Sequence, residues 1–150
     1  MFVQITKDMD LAANREAQRR NPYIKHHFEV SHLTGNERDI IGFLGEFAAQ
    51  QFLGLSWNDN IRDNYYTIDS GDGTVNGISF DVKTETIPNP YFRYVLSRSI
   101  NDDGVYGRRL INSGQANLLH KYNIVIFGQF LRNDYTRWYP IGYLETEFKK

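Results

Sequence analysis

Four side chains have types and spacings suited to chemistry: Glu46, Asp72, Asp81 and Lys83. An Asn76-Gly77 pair lies between Asp72 and Asp81, flanked by segments that favour extended structure. Asn-Gly in that setting is a strong hairpin signal, because both central residues of a type I′ turn need positive φ. With Asn76 and Gly77 as the turn, Val75 pairs with Ile78, Thr74 with Ser79, Gly73 with Phe80 and Asp72 with Asp81. Period 2 then puts Ser79, Asp81 and Lys83 on one face and Ile78, Phe80 and Val82 on the other. Two carboxylates directly opposite each other repel, and a bound cation removes that cost. Hard divalent ions take oxygen ligands and engage phosphate oxygens. A nearby lysine cannot ligate as an ammonium. It can orient or help deprotonate a water, or neutralise charge developing on a phosphate. The set suits hydrolysis of a phosphodiester.

Glu46 comes from a helix. Thr34 followed by Glu37 matches a capping box that opens it. Ile40, Ile41, Leu44, Phe47, Ala48 and Phe52 then recur at helical period to about Phe52 or Leu53. Glu46 projects to the side of that stripe, at its edge. Gly42 and Gly45 lower helix propensity and suggest close packing. Gly54 fits the C-cap, Leu55 returns to the core and Trp57 anchors the loop that follows. An earlier helix is expected over Asp8 to Arg20, capped by Asp8 or Asp10, with Arg15, Arg19 and Arg20 at its basic end and Asn21-Pro22 stopping it. Phe2 to Ile5 reads as a short strand or an anchored terminus.

After the hairpin, Pro88 and Pro90 end the extended run near Ile87. Tyr91 to Arg98 reads as the next strand, Asn101 to Gly107 as a loop, and Asn112 to Tyr122 as a helix. Asn123 to Phe130 is an apolar run that fits a central strand buried on both faces. Asn133-Asp134 marks a turn. Arg137 to Leu144 is a strand that Pro140 assigns to an edge, and Glu145 to Lys150 starts a last helix. The order α, α, β, β, β, α, β, β predicts a mixed sheet flanked by helices.

Glu46 after Gly45 on a helix, Asp72 before a short turn, and Asp81-Val82-Lys83-Thr84 on a strand resemble the PD-(D/E)xK nuclease superfamily. The resemblance covers about Asn36 to Leu144. It implies an α/β, restriction-endonuclease-like core of order αβββαβ, with residues 1–35 as an N-terminal helical extension. It matches Glu46 to the family's helix glutamate, Asp72 and Asp81 to its two strand acids, and Lys83 to its lysine. The Val82 carbonyl is similar to a backbone ligand that many members use. The implied cofactor is Mg²⁺ or Mn²⁺, and the implied substrate is DNA, less often RNA. Gly71 stands where many members have a proline. Gln115 loosely resembles a polar residue some members place beside the site. A homodimer is a further expectation by analogy. The rival readings are a nucleic-acid-binding member of the fold without catalysis, and a protein-interaction domain that binds no metal at Asp72 and Asp81.

Composition bounds these readings. The chain has 150 residues, 41% hydrophobic, with a formal net charge of -1, which suits one globular domain. There is no cysteine, so disulfide, thiolate and Cys-zinc chemistry are excluded, and a cytoplasmic setting is the expectation. No apolar run approaches a membrane span, and the N-terminus carries no positive leader followed by an apolar core. His26, His27, His32 and Glu29 lack the order of a zinc site. With so little net charge, any contact with phosphate must come from a local patch. Candidates are Arg93, Arg98, Arg108, Arg109 and Lys121, with Tyr91 and Tyr94 to stack or hydrogen-bond.

Overall fold

The computed structural model describes residues 1–20, 35–58, 61, 73–75, 77–97 and 124–145. In chain order the elements are strand β1 (Val3–Gln4), helix α1 (Lys7–Arg20), helix α2 (Gly35–Phe52), strand β2 (Gly73–Val75), strand β3 (Ile78–Ile87), helix α3 (Asn89–Ser97), strand β4 (Ile124–Leu131) and strand β5 (Asp134–Glu145). The strands form one mixed sheet in the order β1-β5-β4-β3-β2. Among the described strands, only the β3–β4 pair is parallel. A parallel pair needs a long crossover, and the chain between these strands includes α3.

The first helix is capped by Thr6. Its Oγ1 accepts a hydrogen bond from the Met9 backbone N–H at 3.2 Å, the N-cap to N3 contact. Asp8 and Asp10, the expected caps, lie instead in the first turn, where carboxylates favour the helix dipole. Met9, Ala12, Ala13 and Ala17 are buried. Arg15 and Arg19 both pair with buried Glu16, so two of the three arginines of the basic end serve the fold.

Helix α2 ends where the glycine signal puts it. Gly54 has φ +83°. Its N–H binds the Gln51 carbonyl at 3.0 Å and the Leu55 N–H binds the Gln50 carbonyl at 2.9 Å, the paired bonds of a Schellman cap. Trp57 packs edge-on against Phe47 at 5.0 Å between ring centroids. The main core joins α1 and α2 to one face of the sheet through Phe43, Leu44, Phe47, Phe80, Val82, Ile126, Phe130 and Trp138. Each such side chain, fully buried, contributes about 1.5–3 kcal/mol.

Two glycines let this core close. A Cβ on Gly128 of β4 would collide with the Trp138 indole, and a Cβ on Gly45 of α2 would collide with Thr84 of β3. Trp138 Nε1 donates to Thr84 Oγ1 at 3.1 Å. Helix, β3 and β5 therefore meet at one point, with a hydrogen bond at its centre.

Two expectations are corrected. Tyr91 to Arg98 does not form a strand: Asn89–Ser97 is helical. Pro90 sits in the first turn, where its missing N–H costs nothing. A six-residue apolar-rich run cannot be assigned to strand or helix by period alone. Among the described residues, the hairpin is thus followed directly by a helix, without the third consecutive strand of the αβββαβ order. Strand β5 is also not an edge. It lies between β4 and β1, and β1 pairs with it at Val3↔Trp138 and Gln4↔Arg137. Pro140 is tolerated because it lies beyond that two-residue pairing and next to a register shift opposite Gly128.

Strand β4 is central as expected, with Val125 through Phe130 all buried. The β4–β5 turn falls on Arg132 and Asn133, one residue earlier than the Asn133-Asp134 reading. Asn133 carries φ 70° there, a conformation asparagine accepts readily.

Candidate functional site

The hairpin has the register its turn requires. Gly73 pairs with Phe80, Thr74 with Ser79 and Val75 with Ile78, and Gly77 has φ +79°. Phe80 and Val82 turn toward α2 and join the core. Alternation sends Ser79, Asp81, Lys83 and Glu85 to the other face. On that face Lys83 Nζ lies 3.0 Å from Asp81 Oδ2. Asp81 is buried, with 8% of its surface exposed, while the Lys83 side chain keeps 29%. The lysine therefore reaches solvent while holding a carboxylate that is nearly removed from it. Removing either member leaves the other charge poorly compensated.

Glu46 is also buried, at 8% exposure. Its neighbour Gly45 meets Thr84, and Gln50, one turn further on, meets β2: its Nε2 would lie 3.0 Å from a Cβ on Gly73. Residues 46 and 50 share a helix face. Glu46 thus belongs to the side of α2 that approaches the hairpin. It approaches from the core face, whereas Asp81 and Lys83 occupy the opposite one. Among the described strands, β2 (Gly73–Val75) stands at the end of the sheet order. Val82 is buried on the α2 side and aligned with Ile126 of β4.

Among the described residues, no three acids or histidines come together as a metal-binding group. The structure joins Asp81 to Lys83 and sets Glu46 against the same hairpin from the other side. Asp72, and with it the Asp72–Asp81 pairing, lies outside the described residues, as do His26, His27, Glu29, His32, Arg98, Arg108, Arg109, Gln115, His120 and Lys121. The side chain of Tyr94 is likewise outside them. Arg93 and Tyr91 are exposed on α3, not on a strand.

Two polar residues on the lysine's face were not singled out from sequence. Glu85 follows Lys83 at the same period of two, so extending the alternation by one step would have found it. Gln129, on β4, is opposite Glu85 of β3 and Tyr139 of β5. It is fully buried, and neither its Oε1 nor its Nε2 has a hydrogen-bond partner among the described residues. It is the one polar side chain in the apolar run Ile124–Leu131, which was its only signal.

Comparisons with family models, curated proteins and solved structures gave no match to this chain.

Proposed function

We propose that the chain is a Mg²⁺-dependent endonuclease that hydrolyses DNA phosphodiester bonds, on a restriction-endonuclease-like fold. The observation that carries the reading is the Asp81–Lys83 pair beside a hairpin in the Asn-Gly register. The reading supposes that this register continues by one more step, which would put Asp72, outside the described residues, opposite Asp81. The donor set fits a hard cation: it offers only oxygen ligands, and the buried Asp81 and Glu46 carboxylates favour a positive charge near them. Asp72, Asp81, the Val82 carbonyl and Glu46 are the groups to hold the ion. Once held, it would polarise a phosphoryl oxygen and acidify a bound water.

The chain's own residues do the rest. Asp81 fixes the Lys83 ammonium on the solvent-accessible side of the hairpin. From there Lys83 offers a proton-bearing cation to a phosphate oxygen or to the attacking water. Glu46, on the α2 side of the hairpin, would have to reach the ion past β2, since Asp81 and Lys83 lie on the opposite face. Close packing of Gly45 on Thr84 holds the helix where this is feasible.

The test is cleavage of labelled single-stranded DNA, duplex DNA and RNA with Mg²⁺, Mn²⁺ or EDTA, using wild-type, Asp81→Ala and Lys83→Ala proteins. Metal-dependent cutting that falls by a factor of about 10²–10⁴ in each variant is the expected result. Cutting that survives both substitutions, or no cutting together with no calorimetric Mg²⁺ binding, would sink the assignment.

A further inference from the structure

At the far side of the sheet face that carries Lys83, three aromatic rings gather around an arginine. Trp138 is turned into the core, so its neighbours Arg137 and Tyr139 point to the opposite face. The pairing of Val3 with Trp138 sets Phe2 beside them. Phe2 and Tyr139 have ring centroids 5.6 Å apart. The Arg137 guanidinium lies 4.7 Å from the centre of the Phe2 ring. Phe92 of α3 packs edge-on to Tyr139 at 5.1 Å. On the same helix Tyr91 and Arg93 are exposed.

Three facts show what this patch suits. Phe2 and Tyr91 keep 43% and 46% of their surface exposed. Neither Arg93 nor Arg137 has a carboxylate partner among the described residues. Helix α3 carries no acidic residue. In a chain of net charge -1, a surface with exposed rings, two guanidiniums unpaired with carboxylates among the described residues and no acid in α3 offers aromatic and cationic contacts side by side.

We infer that this patch binds unpaired bases of a single-stranded nucleic acid, with the arginines on its phosphates. The inference rests on the hydrolytic reading above and narrows its substrate to one with a single-stranded segment. The ring surface that Phe2 and Tyr91 leave exposed rewards stacking, whereas a duplex has its base faces already stacked on each other. Base–aromatic stacking contributes about 1–3 kcal/mol per base, and arginine adds cation–π attraction. A planar guanidinium also matches a phosphate in two hydrogen bonds. Three inter-strand steps of about 4.8 Å separate Phe2 from the strand of Lys83, roughly 14 Å. A short single strand spans that distance.

The experiment is fluorescence anisotropy of a labelled oligothymidylate and of a duplex of equal length, in EDTA so that nothing is cut. The proteins are wild-type, Phe2→Leu, Arg137→Gln and Arg137→Lys. Phe2 and Arg137 are exposed, and circular dichroism with a melting curve checks that each variant is folded. Wild-type is expected to prefer the single strand. Phe2→Leu should weaken that binding about 5- to 100-fold, the equivalent of one lost stack. Arg137→Gln should weaken it further than Arg137→Lys, which keeps the charge. Equal affinity for both oligonucleotides, or unchanged single-strand affinity in Phe2→Leu and Arg137→Gln, would overturn the inference even if the protein cuts DNA. Binding lost in the patch variants by a protein that cuts nothing would uphold the patch and overturn the hydrolytic reading instead.

Discussion

Substituting Gly45 by alanine tests the joint on which the site's placement depends. On helix propensity alone, Gly→Ala in a helix interior stabilises by about 1 kcal/mol. The packing argues the opposite. The new Cβ would lie 3.0 Å from Thr84 Cβ and closer still to Thr84 Oγ1. Rotating Thr84 moves the hydroxyl away but leaves its Cβ in place. It also breaks the hydrogen bond from Trp138 Nε1. Overpacking of this kind costs about 1–3 kcal/mol, and the lost buried hydrogen bond about 1 kcal/mol. Set against the propensity gain, the net is a loss of about 2 kcal/mol. Urea unfolding should therefore show a lower midpoint at unchanged slope, and the melting temperature should fall by roughly 4–8 °C. In a Thr84→Ala background the hydroxyl is gone, so Gly45→Ala should cost about 1 kcal/mol less than it does alone. A Gly45→Ala protein as stable as wild-type, or additive effects in the double variant, would refute the close approach of α2 to β3.

Other substitutions probe separate links. Gln129→Leu replaces a buried amide whose two polar atoms lack partners among the described residues, so it should stabilise by about 1–2 kcal/mol in the same assay. Destabilisation would mean that the amide holds a partner in solution. Thr6→Ala should cost about 1 kcal/mol by removing the cap on Met9, whereas Asp8→Ala, confined to a first-turn charge, should cost no more than about 0.5 kcal/mol. Equal losses would return the cap to Asp8.

Some of this molecule was decided by short-range physics and could be read directly. The Asn76-Gly77 signal gave the register that the Gly73↔Phe80, Thr74↔Ser79 and Val75↔Ile78 pairs adopt, with Gly77 at φ +79°. Asp81 and Lys83 then shared a face because a strand alternates. Gly54 ended α2 for the same local reason, a left-handed residue that closes the last carbonyls. The apolar run from Ile124 placed β4 in the middle of the sheet because it has no polar face to give to water. None of these required a distant residue.

The rest depended on partners far away in the chain. The run Tyr91–Leu96 satisfied both strand and helix periods, and Pro90 at a first turn with Phe92 against Tyr139 favoured the helix. Pro140 signalled an edge, yet Val3 and Gln4, more than a hundred residues earlier, pair along β5 and bring it inside. Gly45 pointed to close packing from the sequence, but only the fold showed that Thr84, held by Trp138, is what packs there. The Phe2–Arg137–Tyr139–Phe92 cluster had no sequence signal, because β1, β5 and α3 meet only when the sheet closes. Local rules settle what one or two residues can satisfy alone. Which faces are covered, and which are left open to bind, is settled by the packing of elements with no sequence proximity.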